Sequence, residues 1–115
     1  MQDSFIRDIT GCASGELYAL QVKGDSMEPE FPDGVVIIID PTGVLKDGSY
    51  VLAIQNDEYL FRQYRRKEGK HYLTILKDES EMVEIPGSDI TNVIKGIIVQ
   101  QSIPGKGRKG RKFYT

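Results

Sequence analysis

The chain has 115 residues, 39% of them hydrophobic and 28% charged, which suits one globular domain with a core of its own. Its longest strongly apolar run, Val35 to Ile39, is far too short to cross a bilayer, and no basic-then-apolar leader opens the chain. Cys12 is the only cysteine, which excludes an internal disulfide and a cysteine-rich zinc site; no metal or cofactor is expected, and a reducing cytoplasm is the expected compartment.

The net charge of −2 is unevenly spread. Lys106, Arg108, Lys109, Arg111 and Lys112 give the final stretch +5 with no acid, which leaves −7 elsewhere from 10 basic and 17 acidic residues. Such a stretch can meet nucleic acid through phosphates, but Gly105, Gly107 and Gly110 are interleaved with it, and it reads as a solvated terminus. The same glycines spell Gly105-x-Gly107-x-x-Gly110, formally a dinucleotide fingerprint. With five residues after it, no helix is expected to offer its N-terminus to a pyrophosphate, and the match reads as chance.

In chain order, residues 1–15 are mixed and polar, end in "GCASG", and read as an N-terminal arm. From Leu17 the pattern turns extended. "LYALQVKG" alternates, "VVIIID" reads as a buried run, and "SYVLAIQ" is rich in β-branched and aromatic residues. "EYLFRQYRR" and "HYLTILK" flank Lys67-Glu68-Gly69-Lys70, a connection suited to a hairpin. "MVEI" follows, then Pro86-Gly87, then the long segment "NVIKGIIVQQSI", where Gly96 suggests a bulge. No convincing amphipathic helix separates these strands. The expected fold is mostly β, a coiled and partly barrel-like sheet with one short helical turn. The expected division is an arm over 1–15, a domain over 16–103 and a basic flexible tail over 104–115.

The helical turn is expected at "GDSMEPEFPDG", residues 24–34. Asp25-Ser26-Met27-Glu28 has capping-box spacing, with Asp25 as the cap and Glu28 reaching back, and Pro29 limits whatever helix follows. Free amides near Ser26 and Met27, beside a hydroxyl, are what an oxyanion hole requires; they are also what any cap leaves to water. A serine hydroxyl is a poor nucleophile until a base takes its proton. His71, the only histidine, stands at the start of a hairpin strand, where an exposed imidazole needs no special role. A buried lysine made neutral by desolvation is the other option, and it should lie on a strand passing the serine turn.

Three segments, "YALQVKGDSMEPEFPDGVVIIIDP", "LKDGSYVLAIQNDEYLFRQYRR" and "NVIKGIIVQQS", together resemble the self-cleaving domain of LexA, UmuD and phage repressors, whose core bacterial signal peptidases share. The resemblance covers about Leu17 to Ser102. It implies a serine–lysine dyad that cuts a peptide bond in the chain's own N-terminal linker. Ser26 matches the nucleophile, and the Met27 amide matches the oxyanion hole. The lysine position does not match, because Arg62 stands there. A guanidinium stays protonated in any protein environment and cannot accept the serine's proton. Lys23 and Lys46 lie near the turn in sequence, but neither fits the opposite strand.

The family's scissile bond, usually alanine–glycine or cysteine–glycine, lies well upstream of the serine. Cys12-Ala13-Ser14-Gly15 offers small residues but is close to the strand "LYALQV", and the 25 residues before Ser26 leave no room for a helix-turn-helix. The resemblance therefore implies a regulatory and dimerisation domain of a phage- or SOS-type repressor with impaired self-cleavage. It would dimerise through the C-terminal strand, reach DNA through a separate N-terminal domain and respond to a RecA-type co-protease. An active serine peptidase and a UmuD-like polymerase-associated subunit are the alternatives.

Overall fold

A computed structural model describes residues 4–6, 16–78 and 81–114. Most of the arm, including Cys12-Ala13-Ser14-Gly15, lies outside the described residues. The strands are β1 (Ser4–Ile6), β2 (Tyr18–Lys23), β3 (Val36–Asp40), β4 (Tyr50–Gln55), β5 (Glu58–Lys67), β6 (Lys70–Thr74), β7 (Met82–Ile85), β8 (Ile94–Ser102) and β9 (Arg111–Phe113). They form one open antiparallel sheet in the order β1-β2-β3-β8-β4-β5-β6-β7, with β9 also on β8.

Two hairpins follow from turn chemistry. Asn56 and Asp57 take φ of 52° and 64° between β4 and β5, and Glu68 and Gly69 take 50° and 76° between β5 and β6. Two successive residues at positive φ make the tight turn whose twist matches antiparallel strands, and Asn, Asp and Gly tolerate it best. The second is the hairpin expected at Lys67–Lys70, and those two residues close the ladder.

Both faces of the middle of the sheet are covered. Leu20, Val22, Met27, Phe31, Val35, Ile37, Ile39, Leu52, Phe61 and Ile98 form one core. Val51, Ala53, Tyr64, Leu73, Ile85 and Ile97 form the other. Neighbours on a strand point to opposite faces, so Leu52 serves the first core while Val51 and Ala53 serve the second. This explains why "YVLAI" lacks polar alternation. "VVIIID", expected to be buried throughout, instead buries Val35, Ile37 and Ile39 and leaves Val36 and Ile38 half-buried.

Three features depart from the sequence reading. The turn at residues 26–30 is not a helix; the short helix is α1 (Ile90–Val93), with 3-10 turns at Gly87–Asp89 and Gly107–Gly110. The segment "NVIKGIIVQQSI", expected as one long strand, becomes strand only from Ile94, because Asn92 and Val93 belong to α1. β8 pairs with β3 along one edge, and with β4 and then β9 along the other. Finally, the basic stretch, whose Lys and Arg side chains are exposed as read, also supplies β9 and a half-buried Tyr114, whose amide donates to Val99 O at 2.9 Å.

Beside Gly96, the β8 register against β4 slips between Leu52 and Ala53, as the expected bulge requires. A Cβ at position 96 would sit 2.3 Å from Ile39 Cγ2 and 3.4 Å from Asp40 O. Ile39 is fully buried and β-branched, so it has nowhere to turn. Gly96→Ala is therefore expected to cost about 1–3 kcal/mol by overpacking, read from urea unfolding. Gly87→Ala, whose Cβ would meet His71 at an ordinary 3.5 Å, should stay within about 0.5 kcal/mol.

Candidate functional site

Ser26 begins a compact turn that joins β2 to β3. Glu28 N donates to Asp25 O at 3.1 Å, and Phe31 N donates to Met27 O at 2.9 Å. These two bonds use the amides of Glu28 and Phe31 and leave those of Ser26 and Met27 out of the turn's own bonding. The expected capping box is absent. The Asp25 carboxylate pairs with Lys77 Nζ instead, and the Glu28 amide goes to the Asp25 carbonyl. Met27 and Phe31 drive the turn inward, at 1% and 0% exposure, while Ser26 stays half-buried above them. At the base of the loop Gly24 takes φ of 100°, a conformation that favours glycine, and its amide donates to Asp33 Oδ1 at 2.7 Å.

Arg62 lies on β5 opposite Val51, on the face of Tyr64 and the second core. It lines a cleft of about 400 Å³ with Gln55, Leu60, Leu73, Ile75, Glu81, Met82 and Val83. Its guanidinium donates to Phe61 O at 2.9 Å. Ser26 is outside that lining. The two regions meet at the corner after β6, where Ile75 closes the cleft and Lys77 N donates to Ser26 O at 2.9 Å. The structure thus brings the serine turn to one side of this corner and Arg62 to the other.

Lys77 escaped the sequence reading, which weighed only Lys23 and Lys46. Nothing local marks it; the registers of β5 with β6 carry it to a serine far upstream. Its hydrogen bond to Asp25, together with the attraction between the charges, holds the ammonium above its ordinary pKa, and the Asp25 carboxyl is lowered in turn. Lys77 is exposed and paired, the opposite of what turns a lysine into a base.

A second group missed from sequence surrounds Glu30, at the far end of the turn. Tyr114 Oη donates to Glu30 Oε2 at 2.5 Å, and Lys112 forms an ion pair with the same carboxylate. Gln101, only 4% exposed, donates to Glu30 O at 2.7 Å and to Tyr114 Oη at 2.5 Å. Burial pushes the Glu30 carboxyl upward, but the bonds from Lys112 and Tyr114 outweigh it and leave the group below its ordinary value. The Tyr114 phenol is pushed well up, by burial first and then by the neighbouring carboxylate.

A family model described as Peptidase S24-like matches residues 3–99. The HTH-type transcriptional regulator for conjugative element R391 of Providencia rettgeri is 35% identical over 101 residues, which is 81% of this chain and 47% of the relative. The corresponding regulator for conjugative element SXT of Vibrio cholerae gives the same figures. A LexA repressor from Desulfatibacillum aliphaticivorans is 35% identical over 54 residues, 46% of this chain and 27% of the relative. The chain spans about half the length of the curated HTH-type relatives it matches. Among the described residues, no helix is long and apolar enough to cross a membrane.

The depressed Glu30 carboxyl has a pH signature. Its contribution to stability is complete above its ordinary pKa of 4.5 and is lost as the pH falls through the lower folded value. The difference in urea midpoint between the native chain and Glu30→Gln should be constant near neutrality and close on acidification below pH 4.5. A gap that persists into strong acid would exclude the carboxylate as its source.

Proposed function

The chain belongs to the Peptidase S24-like family as a LexA/UmuD-type domain, and from that premise we propose that it is the C-terminal regulatory and dimerisation domain of a phage- or SOS-type transcriptional repressor in which self-cleavage is impaired. In this reading Ser26 holds the nucleophile position, the Met27 amide serves the oxyanion hole, and Arg62 occupies the place of the general-base lysine. DNA is read by a separate N-terminal domain, and the acidic balance of residues 1–101 agrees with that division of labour. The setting is the cytoplasm.

The observation that carries the reading is a fixed charge at position 62. Loss of general-base assistance removes a factor of roughly 10²–10⁴. Arginine cannot supply that assistance at any attainable pH. The lysine that lies against the serine turn, Lys77, is tied as a cation to Asp25 and offers no neutral amine in its place.

Restoring the base tests the proposal. In the protein with its upstream linker, Arg62→Lys should produce self-cleavage that rises with alkaline pH, as the new amine loses its proton. The parent should stay intact, and Ser26→Ala in the Arg62→Lys background should abolish the gain. Cleavage by the parent that Ser26→Ala stops would establish the active-peptidase alternative.

For assembly, β8 has both edges occupied, so the sheet edge proposed for pairing moves to the outer side of β9, where Phe113 is 67% exposed. Sedimentation of the chain across a concentration series should show a dimer at tens of micromolar, weakened at least several-fold by Phe113→Asp. A monomer throughout would remove dimerisation from the proposal.

A further inference from the structure

The residues after β8 do more than extend the sheet. Ile103 N donates to Gly110 O at 2.9 Å, which closes the intervening loop and returns the chain to β8 as β9. The next residue, Tyr114, then reaches the turn that bears Ser26. Its ring lies 5.3 Å from Phe31 and 5.3 Å from Tyr50, while Phe31 also stacks edge-on against Tyr50 and Phe61 at 4.7 Å each. Its hydroxyl joins Glu30 and Gln101 at once, and Lys112 grips the same carboxylate from β9. Gln101 closes the circuit on the Glu30 carbonyl. One end of the serine turn is thereby held by the corner at Lys77, and the other by the C-terminal segment.

We propose that residues 111–114 form a latch that fixes the geometry of the serine turn, with the Tyr114 hydroxyl as its positioning group through Glu30. The chemistry favours this role over simple packing. A phenol donor to the Glu30 carboxylate and a buried amide donor to the phenol oxygen and the Glu30 carbonyl are directional bonds that set the place of Glu30, whereas apolar contact alone would tolerate sliding. Glu30 sits four residues from Ser26, within a turn whose internal bond joins Met27 to Phe31. Releasing Glu30 frees the backbone on which the Ser26 and Met27 amides are arranged. The inference concerns the nucleophile position of the proposed function, and only its cleavage arm rests on that reading.

The full chain carries the test. Tyr114→Phe keeps the ring against Phe31 and Tyr50 and removes only the hydroxyl. Amide hydrogen exchange at Glu28 and Phe31 should become roughly ten-fold faster, the factor that corresponds to about 1.4 kcal/mol, with Tyr64 and Leu73 in the β5–β6 hairpin unchanged. Glu30→Ala, which removes the acceptor of that bond and the Lys112 partner together, should be at least as fast, and adding Tyr114→Phe to it should accelerate exchange less than Tyr114→Phe does alone, because the link between the two is already gone. Unchanged exchange in the turn, equal acceleration in the hairpin, or effects that multiply would each overturn the latch. In the Arg62→Lys protein with its linker, Tyr114→Phe should slow self-cleavage without moving the pH at which it begins. If Arg62→Lys fails to cleave at all, the proposed function falls, while the exchange result still decides the latch.

Discussion

Strand β8 is the constraint on which the rest of the molecule depends. From Ile97 to Ser102 it pairs with β3 on one edge, while the other edge is divided between β4 at the start and β9 at the end. A strand paired on both edges has no slack in register, because a one-residue slip would exchange its two faces. Here that exchange would move Ile98 out of the first core and Ile97 out of the second. Two departures from regular pairing adjust the strand to its neighbours: a slip beside Gly96, and another between Ile38 and Ile39. Gly96 leaves room for Ile39 where a side chain would collide with it, at the place where β3, β4 and β8 meet.

The serine turn inherits its position from this frame. It leaves β2 and enters β3, which β8 holds in place, and it plants Met27 and Phe31 in the first core. Its polar tethers then come from elements remote in sequence: the corner after β6 through Lys77, Gln101 on β8, and Tyr114 beyond β9. A turn with few regular backbone bonds of its own is stable here because both flanks are bonded to the sheet. Charge is used locally in the same way. Lys112, part of a cationic cluster that reads as solvated from sequence, neutralises the one carboxylate at the far end of the turn.

How far the sequence reveals this can be traced residue by residue. Alternation in "LYALQV" and the turn residues at Lys67–Lys70 act over short range and translate directly into β2 and the β5–β6 hairpin. Gly96 as a bulge is legible for the same reason. Partnership is a long-range property, and there the reading falls short. Nothing near "NVIKGIIVQQSI" says that three other strands will occupy its edges, and nothing near "GRKGRKFYT" says that the terminus will fold back onto a buried glutamine. The capping-box spacing at Asp25 was outcompeted by an ammonium from a distant corner, a contact that only the sheet registers create. Position 62 is given its role by the family resemblance alone, and Ser26 is not among the residues that line its cleft.

The environment of position 62 gives the arginine its significance. Leu60, Leu73, Ile75, Met82 and Val83 make its cleft largely apolar, with Gln55 and Glu81 as the polar members. Such surroundings disfavour the charged form of a side chain that can lose its proton. For a lysine placed there, the apolar members would favour the neutral form and the Glu81 carboxylate the charged one, whereas the exposed, ion-paired Lys77 is held as a cation. A guanidinium begins about two or three units higher and does not yield to the same desolvation. The guanidinium at position 62 and the ammonium of Lys77 thus both stay charged, the first by its own chemistry and the second by its ion pair with Asp25. Under the proposed function, Arg62→Lys therefore changes one side chain in a cleft that is already largely apolar.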